Sequence, residues 1–187
     1  MDKDSVNVNG VKFFRHPFGG GLVAETANVA ETAYVSPEAQ VQDRAQVLGR
    51  AVILGRAIIS GDALVKDNAR VEGDACVFGR AQIYGSAKIS GFVCISEDAQ
   101  VFDNAYVYSS ALVYGHAKIY ENGSVSGEAR VLDNACVFGK ASIWGYAWVS
   151  GDARVSGDAL VIDFARVTGN AHVSGKEQIN GSTIKNE

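Results

Sequence analysis

Several things are scarce in this 187-residue chain, and each scarcity removes a class of function. Apolar runs last only a few residues, far short of the roughly 20 needed to span a bilayer as a helix, so no membrane segment is expected. Lysine and arginine form no block, and the acids form no run; the net charge of −4 is spread along the chain. Direct binding to nucleic acid or to an anionic lipid surface therefore lacks its basic stripe. Cysteine occurs three times, an odd number, with no CxxC pair. That excludes a disulfide framework and fits a reducing compartment. The opening "MDKDSVNVNG" is polar and acidic, unlike a secretory signal, which adds to the expectation of a cytoplasmic chain. Threonine is too rare to form the regular Thr-x-Thr array that ice binding would use.

What is present is a repeat. In "GDARVSGDALVIDFARVTGNAHVSG" (Gly151–Gly175) alanine falls at 153, 159, 165 and 171, and valine two residues after each. Written as hexads from Ala27, the first position is alanine as far as Ala171 except at Val93 and Gly123. The third position is Val or Ile in every hexad from Val29 to Val173, with no insertion or deletion. The fifth is mostly Gly, sometimes Asp, as in Gly49, Gly55, Gly61, Asp67 and Gly73. A helix would rotate such a position by roughly 240° per repeat and scatter the valines around its surface. In a strand, positions one and three share a side. Each hexad therefore reads as a short strand with a small and a β-branched residue facing in, followed by a turn where positive φ is tolerated.

Strands this short bury nothing alone, but stacked copies do. Three hexads bent around a triangle make one coil. Successive coils then lie about 4.8 Å apart, joined by parallel hydrogen bonds. The expected fold is all-β, a three-sided parallel solenoid of about eight coils and roughly 40 Å length. A narrow interior explains why position one is Ala and position three is only Val or Ile.

A Val or Ile followed four residues later by a small residue, as from Val155 to Ala159 and from Val161 to Ala165, resembles the hexapeptide repeat of left-handed parallel β-helices. The resemblance covers residues 27–181. It implies a left-handed winding, an exception to the usual preference for right-handed crossovers. More narrowly, "FGGGLVAETANVAETAYV" (Phe18–Val35), followed by unbroken hexads, is similar to the YdcK-like hexapeptide proteins of bacteria and phages. The enzymes of this fold transfer acyl groups, often from acetyl-coenzyme A, at clefts between subunits of a trimer. They use a histidine base, a loop projecting from the prism and often a C-terminal helix. Here no loop interrupts the hexads and no helical pattern follows them. The histidines are His16 near the N-terminus, His116 at a turn and His172 on an outward position. His116, beside Tyr114, is the candidate base, but the sequence names neither an orienting partner nor a pocket for it. No catalytic residue is assigned.

Outside the repeat, residues 1–26 read as a hairpin-like or irregular N-terminal cap whose Phe13, Phe14 and Phe18 lie over the first coil. Residues 182–187 read as a tail. Glu177 takes an inward position, which suggests a frayed or solvated last coil.

Residues three hexads apart should lie directly above one another. Position four on one face reads Leu48, Lys66, Tyr84, Phe102, Tyr120, Phe138. Other faces carry Phe78, Tyr114 and Trp148, and Tyr106, Tyr108 and Trp144. One reading is an aromatic ladder that braces the stack. The other is a contact surface, because contiguous exposed apolar area is uncommon on monomers and Tyr and Trp are enriched at interfaces. Under that reading the surface is made from Tyr84, Phe102, Tyr120, Phe138, Tyr114, Trp144 and Trp148.

Cys76 and Cys94 should sit side by side, within reach of a disulfide or a soft metal by distance but without a full ligand set, so two stacked reduced thiols are expected and no metal site is assigned; Cys136 lies on a different face. Asp67, Asp103, Asp133 and Asp163 sit in turns and offer at most a weak carboxylate row of the kind that mimics nucleic acid. The leading expectation is a binding or scaffolding protein that works through flat faces, as a homo-oligomer (dimer or trimer) or with another protein, without a cofactor. The alternatives are an acetyl-coenzyme A-dependent acyltransferase with an inter-subunit site, and a phage-type inhibitor that sequesters a macromolecule or small ligand.

Overall fold

The hexads do fold as strands, of two residues except at Lys88–Gly91 and Tyr106–Ser109, each built on position three and the residue before it, as at Gln46–Val47, Leu64–Val65 and Gln82–Ile83. The structure, a computed structural model, describes residues 5–8 and 10–186 and contains no helix among them. Every strand of the coils pairs in parallel with the strand three hexads further on, for example Leu64 with Gln82 and Cys76 with Cys94. Three sheets result. Face 1 contains Gln40–Val41, Cys76–Val77 and Trp148–Val149; face 2 contains Gln82–Ile83, Gln100–Val101 and Cys136–Val137; face 3 contains Arg70–Val71, Tyr106–Ser109 and Ser142–Ile143. The molecule is a β-solenoid of three parallel sheets with no loop interrupting its coils.

The core is a single column. Positions one and three are sealed from solvent from Ala33 to Val173, with Val93 replacing alanine at 1% exposure. Three backbone bonds per hexad join neighbouring coils: Gln46 N–H donates to the Ala63 carbonyl, Leu48 to Val65 and Arg50 to Asp67, each at 2.8 Å. None of them depends on a side chain.

Position five is the corner, and from Asp43 to Gly181 the backbone there is left-handed. Glycine accepts this freely. At Gly85 (φ 70°) an added Cβ would stand 2.9 Å from the Asp103 amide of the next coil, so the coils leave no room for one without a shift. Asp adopts the same conformation at a cost, which its side chain offsets by a local hydrogen bond. Asp103 (φ 57°) accepts the Glu121 amide one coil on at 3.1 Å. Asp67, Asp133 and Asp163 do the same for Gly85, Gly151 and Gly181. The turn carboxylates considered as an acidic row are thus bonded to the backbone and join one coil to the next.

The stack has about nine turns, not eight. The additional strands lie where the sequence rule has lapsed. Leu22–Ala24 pairs in parallel with Gln40–Val41 before the first regular hexad, and Ile184–Lys185 pairs with Arg166–Val167 beyond residue 181. A backbone laid on an existing coil finds its partners whether or not Ala and Val repeat.

At the N-terminal end β1 (Ser5–Val8) and β2 (Val11–Arg15) form an antiparallel hairpin that joins β3 (Leu22–Ala24) and lengthens face 1. Of the three cap phenylalanines only Phe13 is buried. Phe14 lies under the Lys12 ammonium, and Phe18 projects into solvent with its ring edge-on to Tyr34 at 5.0 Å. At the other end the inward Glu177 is not left alone: Lys185, in the inward position of the last strand, meets it at 2.6 Å.

Candidate functional site

Face 2 assembles the ladder as its spacing requires. Tyr84, Phe102, Tyr120 and Phe138 follow position-three residues in four consecutive coils, so their rings are aligned by the backbone register alone. Ring centroids lie 4.8, 5.1 and 4.9 Å apart and the planes are parallel within 3°. The Lys66 ammonium covers the Tyr84 end at 5.3 Å and the Arg154 guanidinium the Phe138 end at 5.4 Å. Each ring is half-buried, with its flat sides covered by neighbours and its edge turned to solvent. Burial, with the Asp103 and Asp67 carboxylates in second place, raises the phenol pKa of Tyr84; burial raises that of Tyr120. Both therefore remain protonated donors through the neutral range.

The remaining residues expected at a surface do not join this strip. Tyr114 and Trp148 stand on face 1 and Trp144 on face 3. Trp148 lies between Arg130 and Arg166, whose guanidinium carbons are 5.4 and 5.7 Å from its ring. On face 3 the Tyr106 and Tyr108 rings approach to 4.5 Å, and the Tyr106 hydroxyl hydrogen-bonds with Ser90 at 3.1 Å. A further stacked pair, Tyr146 and Phe164 at 5.1 Å, occupies the corner between faces 3 and 1, and both rings are mostly exposed. Their separation of three hexads was available in the sequence, but they stand at position six, among turn residues, rather than at the outward strand positions.

The structure supplies His116 with neighbours that the sequence did not reveal. Its corner is a column with one residue per coil: Arg44, Asp62, Arg80, Asp98, His116, Asn134 and Asp152. Arg44 pairs with Asp62 through two hydrogen bonds, Arg80 with Asp98 at 2.6 Å, and Asn134 with Asp152 at 2.9 Å. Asp98 lies 3.8 Å from His116 Nδ1. The hydrogen bond from Arg80, aided by the charges of Arg80 and His116, holds the Asp98 carboxyl below the usual carboxylate range against a smaller opposing effect of desolvation. This is a 3.8 Å contact of an exposed imidazole with a carboxylate already engaged by Arg80, not the close hydrogen bond that orients a general base. An open groove beside it is lined by Arg80, Gln82, Asp98, Gln100, His116 and Lys118.

Cys76 and Cys94 are direct partners in adjacent strands of face 1, and Cys136 stands on face 2; all three are free thiols. Burial, and then the neighbouring Cys76, push the Cys94 thiol pKa up. Among the described residues no group of three or more His, Cys, Asp or Glu is placed to hold a metal ion, and no helix is long and apolar enough to cross a membrane.

Charge is sorted by position. Between residues 39 and 176 every carboxylate except that of Glu72 stands at a corner. The outward positions of the faces carry Lys66, Arg70, Lys88, Lys118, Arg130, Arg154 and Arg166. Face 2 thus combines a strip of ring edges with three cations and no carboxylate. No protein-family model matches the chain, and no curated protein matches it.

Proposed function

We propose that the protein is a rigid binding module that docks through face 2, with a second copy of itself as its simplest partner. The observation that carries this reading is the flush strip of Tyr84, Phe102, Tyr120 and Phe138. The fold does not require rings there. The same outward position on the same face is held by Ser156 and Ser174 further along, with the strand pairing unchanged. A brace needs only ring-to-ring contact, but this strip also presents a flat row of edges, with two phenol donors, on a face free of acids. Side chains already fixed by stacking lose little conformational freedom on docking, which lowers the cost of association. Tyrosine is favoured at interfaces because one group offers both apolar area and a hydrogen bond. We also read the winding as left-handed, on the resemblance of the hexads to that class of β-helix.

The test is the double substitution Phe102→Ser with Tyr120→Ser. Light scattering should report a smaller particle while circular dichroism keeps the β-sheet spectrum. An unchanged particle with an unchanged spectrum would make the ladder a structural brace and remove the support for this function.

A further inference from the structure

Face 1 carries a pair of groups that the reading of face 2 does not use. Cys76 and Cys94 hold the same outward position in adjacent strands and are register partners; both are free and half-buried. The same position in the coil on either side is aliphatic, Ile58 next to Cys76 and Leu112 next to Cys94. Two thiols thus stand one coil apart between apolar neighbours.

The spacing decides what can join them. In-register side chains of paired strands repeat at the strand separation, about 4.8 Å. A disulfide requires the two Cβ atoms to approach to about 3.5–4.5 Å. The backbone bonds that flank the pair resist that approach: Cys76 N–H donates to the Val93 carbonyl at 2.8 Å and Phe78 N–H to the Ile95 carbonyl at 3.0 Å. A bridging ion needs no approach. With metal–sulfur bonds of about 2.3 Å, the length found for zinc thiolates, a linear sulfur–metal–sulfur unit spans about 4.6 Å. We propose that Cys76 and Cys94 form a two-coordinate site for a soft monovalent cation of the Cu(I) class.

The surroundings select the same class of ion. Thiolate ligands favour Cu(I), whereas zinc in a structural site takes four ligands. Among the described residues no third metal-binding side chain joins the pair. The residues that follow the cysteines on their strands are Phe78 and Ser96, and the Asp74 carboxylate at the corner is held by Arg56 at 2.6 Å. Binding exchanges two S–H bonds for two S–Cu bonds and releases two protons to solvent, so the bound unit carries one negative charge. Between residues 39 and 176 face 1 has no outward carboxylate to oppose that charge.

The test is a titration of the reduced full-length protein, without oxygen, with Cu(I) held by the chelator bicinchoninate. One Cu(I) should be withdrawn per chain, after which Cys76 and Cys94 are protected from maleimide and Cys136 is not. Cys76→Ser and Cys94→Ser should each abolish uptake, and Cys136→Ser should leave it unchanged. Leu112 tests the spacing itself, because position 112 is the register partner of Cys94 and lies two coils from Cys76. Cys94→Ser with Leu112→Cys keeps two thiols on face 1 but separates them, and should take up none. Cys76→Ser with Leu112→Cys restores an adjacent pair and should take up Cu(I) again, with circular dichroism confirming the fold of each variant. No uptake by the parent protein, uptake that requires Cys136, uptake that follows the number of thiols whatever their separation, or a folded 94/112 pair that takes up none would each overturn the site.

Discussion

Ala117 illustrates how little latitude the core column has. Its side chain is fully buried, as are the alanines and β-branched residues at positions one and three of the neighbouring coils. Ala117→Leu should lower stability by about 1–3 kcal/mol, the usual cost of overpacking a filled core. A melting temperature equal to that of the parent would show that position one does not face inward. Asp103 gives a second residue-scale prediction. Asp103→Ala keeps the left-handed corner and its penalty but removes the hydrogen bond to the Glu121 amide, and should cost about 0.5–1.5 kcal/mol, the net worth of a typical hydrogen bond. Asp103→Gly removes the conformational penalty and should melt above the alanine variant; equal melting of the two, which both lack the carboxylate, would mean that the carboxylate bond alone governs the corner. The inward role of Ala and Val was legible because it repeats within one hexad. The role of Asp103 was not, because its partner lies a full coil away and is a backbone amide, which leaves no trace in composition.

At the scale of strands and corners, the same register organises thiols and ion pairs. Cys76 and Cys94 are partners in face 1, so a short bifunctional thiol reagent should bridge them within one chain, with Cys136 excluded. Because Cys94 is pushed up by burial, the reaction at neutral pH should be slow and should accelerate as pH rises. An efficient bridge from Cys76 to Cys136 within a monomer would break the coil. The arginine-paired carboxylates Asp62, Asp74 and Asp98 have pKa values below those of free carboxylates, chiefly through hydrogen bonds from Arg44, Arg56 and Arg80. Their folded values lie below the unfolded ones, so their stabilisation is present above the ordinary carboxylate range and is lost as pH falls through the lowered values. Thermal melts should therefore show stability declining on acidification below about pH 4, with a smaller decline at high salt because these pairs are exposed. Stability that rises on acidification would contradict this. The aromatic ladder was legible from its three-hexad spacing, whereas the Tyr146–Phe164 pair and the Asp98–His116 contact were missed. Both arise at corners, where the residue type at position six is free to vary and only the stacking of coils brings partners together.

For the whole molecule, the repeat rule foretold the architecture but fell short on the count of turns and on the ends. Those depend on the backbone continuing to pair where Ala and Val have stopped, as Leu22–Ala24 and Ile184–Lys185 do. It also did not show that acids keep to the corners while cations stand on the faces as well, a property of the prism rather than of any segment. That sorting leaves faces 1 and 2 alike without an outward carboxylate between residues 39 and 176, and the stacked strip is what sets apart face 2, the surface proposed for docking. Light scattering of the unmodified protein over a concentration series tests this most directly. The account predicts a particle of twice the 19.7 kDa chain mass that dissociates on dilution; a single-chain mass at every concentration would contradict it.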